Sequence, residues 1–133
     1  MPEIMTAQAL QTEDTALRDM SILIVEDQFL IAMDVEQALA EHGLTQVRTV
    51  SSVREAMQAI RSKRPDLALL DFNLGEETSA DIAQALHEAN IPFLFATGHA
   101  RRSMIPTEFQ DVPVVRKPYA PATLIREMEK LIG

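Results

Sequence analysis

The stretch "DLALLDFNLGEE", residues 66–77, decides the fold, because it contains a short apolar run that ends on an acid. The run from Leu67 to Asp71 has the length and composition of a strand that is buried on both faces. An unpaired buried charge costs several kcal/mol, roughly, so a carboxylate at this position needs a cation, hydrogen bonds or a functional role. Asp71 is therefore the first candidate for a functional residue.

Around this run, short apolar segments alternate with segments of helical period, which is the rhythm of an α/β fold. Five strands are predicted, at residues 22–25, 46–50, 67–71, 93–97 and 112–117. Helical crossovers between successive strands require a parallel sheet. The flavodoxin-like, doubly wound strand order 2-1-3-4-5 fits, because Arg48 in the second strand and Pro113 in the fifth both suit sheet edges.

Helical periodicity predicts four helices, which pass through residues 31–39, 52–64, 78–90 and 124–132. Ser52 and Glu55 have capping-box spacing at the start of the second helix. The segment 100–110 contains Pro106 and little periodicity, so it can form only a short helix.

Length and composition favour one domain of a protein that works with other proteins. The 133 residues suit a single domain at 21–133, preceded by a polar stretch at 1–20 that we interpret as a flexible N-terminal arm. The absence of cysteine excludes disulfides and thiolate chemistry. A formal net charge of -8 argues against binding to nucleic acid or to an anionic membrane surface. No apolar run reaches the roughly 18 residues that span a membrane, so we expect a soluble, cytoplasmic protein.

Polar residues follow the strands at the edge of the sheet where ligands bind in such folds. Glu26 and Asp27 follow the first strand, and Asp71, Thr97 and Lys117 end the third, fourth and fifth. Because the first and third strands are neighbours in the predicted order, three carboxylates converge. Oxygen ligands without cysteine or a nearby histidine favour Mg²⁺, which indicates phosphate chemistry. A carboxylate beside such a cation and an ammonium group can act as a nucleophile, and Asp71 is central.

These residues resemble the signature of the response-regulator receiver domain of two-component signalling, over about residues 21–133. The matching stretches are "VED", "LLDFNLG", "FATG" and "RKP". The resemblance implies that a sensor histidine kinase phosphorylates Asp71. It also implies that Asp27 and Asp71 bind Mg²⁺ directly, Glu26 through water and Asn73 through its carbonyl. Thr97 and Lys117 are expected to contact the phosphoryl group.

The stretch "PFLFATG", residues 92–98, resembles the alphaproteobacterial receiver subfamily nicknamed FAT GUY, although His99 replaces the expected glycine or tyrosine. Many receivers carry Tyr or Phe three residues before the lysine, where the ring rotates inward after phosphorylation. This chain has Val114 there, so His99 and Tyr119 are the candidates for a different readout.

Competing functions fit less well. An aspartyl-phosphate-forming phosphatase or phosphotransferase of the haloacid-dehalogenase type would need a second acid where Asn73 stands. A nucleotide-binding module would need a glycine-rich motif, which the sequence lacks. We expect a stand-alone receiver, because the sequence ends one helix after Lys117, and output through a protein target or a histidine phosphotransfer protein. The oligomeric state and the pathway stay open.

Overall fold

The computed structural model describes residues 17–98 and 104–132, and its centre is a five-stranded parallel sheet. The strands of this sheet are β1 (Ile22–Val25), β2 (Val47–Val50), β3 (Leu67–Asp71), β6 (Phe93–Thr97) and β7 (Val114–Arg116). Their order is β2-β1-β3-β6-β7, with every neighbouring pair parallel. The predicted flavodoxin-like order is confirmed, with the charged and the proline-flanked strands at the two edges.

Four α-helices of the described residues cover the faces of the sheet. They are α1 (Phe29–Glu41), α2 (Val53–Ser62), α3 (Ala80–Glu88) and α4 (Pro121–Ile132). In the described part of the weakly periodic segment, a 3-10 turn forms at Thr107–Phe109. None of the helices in the described part of the chain has the length and apolar character needed to cross a membrane.

Local sequence explains where the helices begin and end. The Ser52 side chain accepts a hydrogen bond from the Glu55 amide at 3.1 Å, so half of the predicted capping box forms. The Glu55 carboxylate accepts from the amide of Ser51 rather than that of Ser52. After α1, Gly43 adopts φ +87°, a left-handed conformation that glycine tolerates and that turns the chain toward β2.

Each face of the sheet buries its own apolar cluster. Residues of β3 alternate between them: Ala68 and Leu70 contribute to one, and Leu67 and Leu69 to the other. This two-sided burial explains why the strand is a continuous apolar run. The first cluster contains four phenylalanines in edge-to-face contacts with ring centroids 5.6–6.3 Å apart: Phe72, Phe93, Phe95 and Phe109. Packing of this kind fixes the sheet that carries the polar residues at its edge.

A two-stranded hairpin between β3 and α3 was not predicted. Its strands are β4 (Asn73–Leu74) and β5 (Glu77–Thr78), which pair antiparallel. Gly75 adopts φ +66° in the turn, which permits the tight reversal. The hairpin fixes Asn73 two residues after the acid that ends β3.

At the other end of the sheet, Leu17 is 2% exposed and packs in the second cluster. Arg18 lies against Gly43, so the last turn of the predicted arm is part of the folded domain. The rest of the predicted arm lies outside the described residues and stays a prediction.

Candidate functional site

The carboxyl ends of the strands bring the predicted acids together. Ligand oxygens of Glu26, Asp27 and Asp71 all lie within 4.8 Å of one another. Glu26 and Asp71 are buried, with exposed fractions of 4% and 7%, whereas Asp27 is exposed to solvent. The predicted convergence of the three carboxylates is thus present, with two acids inside the fold and one at its rim.

Lys117 joins the two buried acids. Its ammonium group donates a short hydrogen bond to Glu26 and a second, of 3.0 Å, to Asp71. Its main chain is also fixed, because its amide donates to the Thr97 carbonyl at 2.9 Å. The lysine at the end of β7 is thus held at the centre of the cluster, and buried charges of opposite sign are paired as their environment requires.

The cluster changes the proton affinity of its members. Burial, with the adjacent Glu26 carboxylate, raises the pKa of Asp71 to about 7, although Lys117 opposes the change. Burial also disfavours ionised Glu26, but hydrogen bonds from Lys117, Asp71 and the Gln28 amide outweigh it and lower the pKa of Glu26. For Lys117, the two acids outweigh burial and raise the pKa of the ammonium group. At neutral pH, Glu26 is therefore ionised, and Asp71 is near the midpoint of its titration.

The donor set fits a hard divalent cation. The three carboxylates supply oxygen ligands only, and exposed Asp27 leaves room for the water molecules that Mg²⁺ retains. Half-buried Asn73 is held beside them by the hairpin. A cation would also offset the repulsion that raises the pKa of Asp71. These residues are therefore compatible with the predicted Mg²⁺ site.

Thr97 lies at the end of β6, buried, and pairs in register with Arg116 on β7, directly before the lysine. Tyr119 is half-buried two residues after Lys117. The other candidate for a readout, His99, lies outside the described residues. The structure thus brings every described site residue of the prediction to one edge of the sheet.

Two features of this edge were missed by sequence reasoning. The first is a groove of about 700 Å³ that leads from Asp71 and Lys117 between α1 and the start of α4. The second is an apolar patch, defined by Phe29, Leu30 and Met33 on α1, whose residues are 73%, 74% and 49% exposed. The sequence contained a signal for this patch, because Phe29, Leu30 and Met33 are large apolar residues that do not lie on the buried stripe of the helix.

The family profile of the response regulator receiver domain matches residues 22–129. The chain therefore belongs to the receiver domain family of two-component signalling. A receiver domain is a signalling domain.

Solved structures and curated proteins with related sequences agree. The solution structure of SdrG from Sphingomonas melonis Fr1 is 37% identical and has a TM-score of 0.73, covering 85% of this chain and 96% of that one. The sensory transduction protein LytT of Enterococcus faecalis is 30% identical over 84% of this chain and 47% of its own length. The phyllosphere-induced regulator PhyR of Methylorubrum extorquens is 31% identical over 77% of this chain and 40% of its own.

The chain thus spans less than half of the length of these two curated relatives. The likeness to SdrG and PhyR is consistent with the predicted FAT GUY subfamily.

Proposed function

We propose that this receiver domain accepts a phosphoryl group on Asp71 from a phosphohistidine of a sensor histidine kinase or a histidine phosphotransfer protein. The observation that carries the proposal is the pairing of buried Asp71 with the Lys117 ammonium group at 3.0 Å. A nucleophilic carboxylate needs a fixed position and a cation for the charge that arrives with the phosphoryl group. Asp71, at the end of a central strand, has both.

In the proposed reaction, a carboxylate oxygen of Asp71 attacks phosphorus as the bond between phosphorus and the donor's imidazole nitrogen breaks. The nitrogen keeps the electron pair, and Asp71 becomes an aspartyl phosphate. Lys117 then exchanges its contact with the carboxylate for one with a phosphoryl oxygen, and the Thr97 hydroxyl donates to another. Only the ionised form of Asp71 is a nucleophile, so the reaction needs the proton to leave.

The Mg²⁺ of this proposal is held by Asp27 and Asp71 directly, by the Asn73 carbonyl, and by Glu26 through water. When bound, the ion neutralises charge on the phosphoryl oxygens and favours the ionised nucleophile. The support is the oxygen-only donor set at one edge of the sheet.

A protein phosphodonor fits the surroundings of the site better than a small metabolite does. The apolar patch of Phe29, Leu30 and Met33 begins two residues after Asp27, so a protein that reaches Asp71 covers it. Apolar surface of this kind marks protein contacts. In this proposal the domain works in the cytoplasm, and its output passes through contact with a target protein or through onward phosphotransfer.

The test is phosphotransfer from each purified, autophosphorylated histidine kinase of the source genome, with radiolabelled phosphate and Mg²⁺. We expect label on the wild type from at least one kinase, and none on Asp71→Asn. Asp66→Asn is the matched control, because Asp66 precedes the same strand at its opposite end and asparagine can still accept the hydrogen bond that the Ser21 amide donates; this variant should be labelled. Labelling of Asp71→Asn at the native rate would refute the assignment of the nucleophile.

A further inference from the structure

The position at which many receivers carry a switching aromatic has no ring in this chain. Val114, three residues before Lys117, is a half-buried residue of β7 that packs against the first apolar cluster. A valine side chain has one rotatable bond and a stiff preference there. It cannot reproduce the inward rotation of a phenol ring, so β7 carries no aromatic switch residue at this position.

Tyr119 lies on the other face of the sheet. Its ring packs against the second apolar cluster and lines the groove between α1 and α4, together with Ile31 and Leu124. Among the described residues, no hydrogen bond to its hydroxyl is present. Burial, together with the charges of Glu26 and Asp71, raises the pKa of this phenol.

Lys117 connects the acids to this ring. Its ammonium group contacts both buried acids, and Tyr119 follows it after a single proline. The same groove is lined by Asp71, Lys117 and Tyr119. After phosphorylation, the side chain of Asp71 carries about 1.5 to 2 negative charges where the ionised carboxylate carries one, and it brings three acceptor oxygens to the mouth of that groove. Tyr119, a half-buried phenol whose hydroxyl is unpaired among the described residues, lines that groove and can respond to the new acceptors.

We infer that Tyr119 reports the phosphorylation state of Asp71 to the groove between α1 and α4, by turning its hydroxyl toward the occupied site. The inference rests on the proposed phosphorylation of Asp71. It places the response of this ring on the α1 and α4 side of the sheet, on the opposite face from Val114.

The chain offers a direct probe, because it contains one tyrosine and no tryptophan. Tyrosine emission of the full chain therefore reports Tyr119 alone. We would measure acrylamide quenching of this emission before and after addition of Mg²⁺ with beryllofluoride, a phosphoryl mimic, while fluorine NMR records bound fluoride. The expected result is a fall in the quenching constant of the wild type as bound fluoride appears, and no change in Asp71→Asn.

A purely structural role of Tyr119, as an anchor for α4, predicts an unchanged quenching constant. Bound fluoride with an unchanged or larger quenching constant would overturn the inference and leave the proposed function standing. Failure of the wild type to bind fluoride would overturn both. Val114→Ala is the second variant, and it should keep the response; loss of the response in this variant, with fluoride bound, would return the readout to β7 and contradict the inference.

Discussion

Replacement of Asp71 by asparagine should stabilise the fold when no metal ion is present. The pKa of Asp71 rises from its ordinary 3.8 to about 7 in the folded chain, because burial and Glu26 disfavour the carboxylate. An acid with a raised folded pKa destabilises the fold as it ionises: the contribution of Asp71 to stability is fully present below pH 3.8 and is lost as the pH rises to about 7. At about 1.4 kcal/mol per pH unit, the full loss is about 4 kcal/mol.

We expect Asp71→Asn to be more stable than the wild type by about 2 to 4 kcal/mol at pH 8 in EDTA, since relaxation and water near the site reduce the full value. Near pH 4 the difference should almost vanish. Urea unfolding followed by circular dichroism, in EDTA across this pH range, measures it. Asp34→Asn removes an equally negative but exposed charge nearby and should change stability by less than about 0.5 kcal/mol.

Millimolar Mg²⁺ should then stabilise the wild type and narrow the gap, because a ligand of the native state alone raises the free energy of unfolding. A variant that is no more stable than the wild type at pH 8, or a gap that does not depend on pH, would refute the electrostatic reasoning.

Three further results are expected. The apparent affinity for Mg²⁺ should rise between pH 6 and pH 8, because the proton leaves Asp71 in this range. Calorimetry in buffers of different ionisation enthalpy should show the proton release, and an affinity independent of pH would contradict this prediction. Leu30→Ser should slow labelling by a kinase without slowing labelling by phosphoramidate. Gln37→Ser should slow neither reaction, because Gln37 is an exposed polar residue two turns further along α1. Thr97→Ala should still be phosphorylated but should lose the change in amide exchange that we expect beryllofluoride to cause at residues 104–109; equal changes in both proteins would exclude coupling through the threonine.

Most of the fold was predicted from the composition of the strands and from the residues at the turns. The continuous apolar run at Leu67 to Leu70 favoured a central strand, and Arg48 and Pro113 suited the two edges, so the flavodoxin-like order fitted the sequence. The acids and Lys117 were found because a parallel sheet gathers its carboxyl ends at one edge.

The parts that were missed depend on contacts between distant residues. Burial of Leu17 needs the side chains of α1 and α4 around it, and these are fixed only once the sheet has formed. The β4–β5 hairpin has strands of two residues each, too short for alternation to show in the sequence. Likewise, the double contact of Lys117 is set by the approach of β7 to β1 and β3 in space, which no spacing along the chain records.

The proposal that Asp71 is a phosphoacceptor is open to one direct measurement: intact-mass spectrometry of the chain after incubation with phosphoramidate, with Mg²⁺ or with EDTA, followed by peptide mapping. We predict a single added phosphoryl group that requires Mg²⁺, maps to the peptide containing Asp71 and is absent from Asp71→Asn. A wild type that gains no phosphoryl group in Mg²⁺, or gains one on another residue, would contradict the proposal.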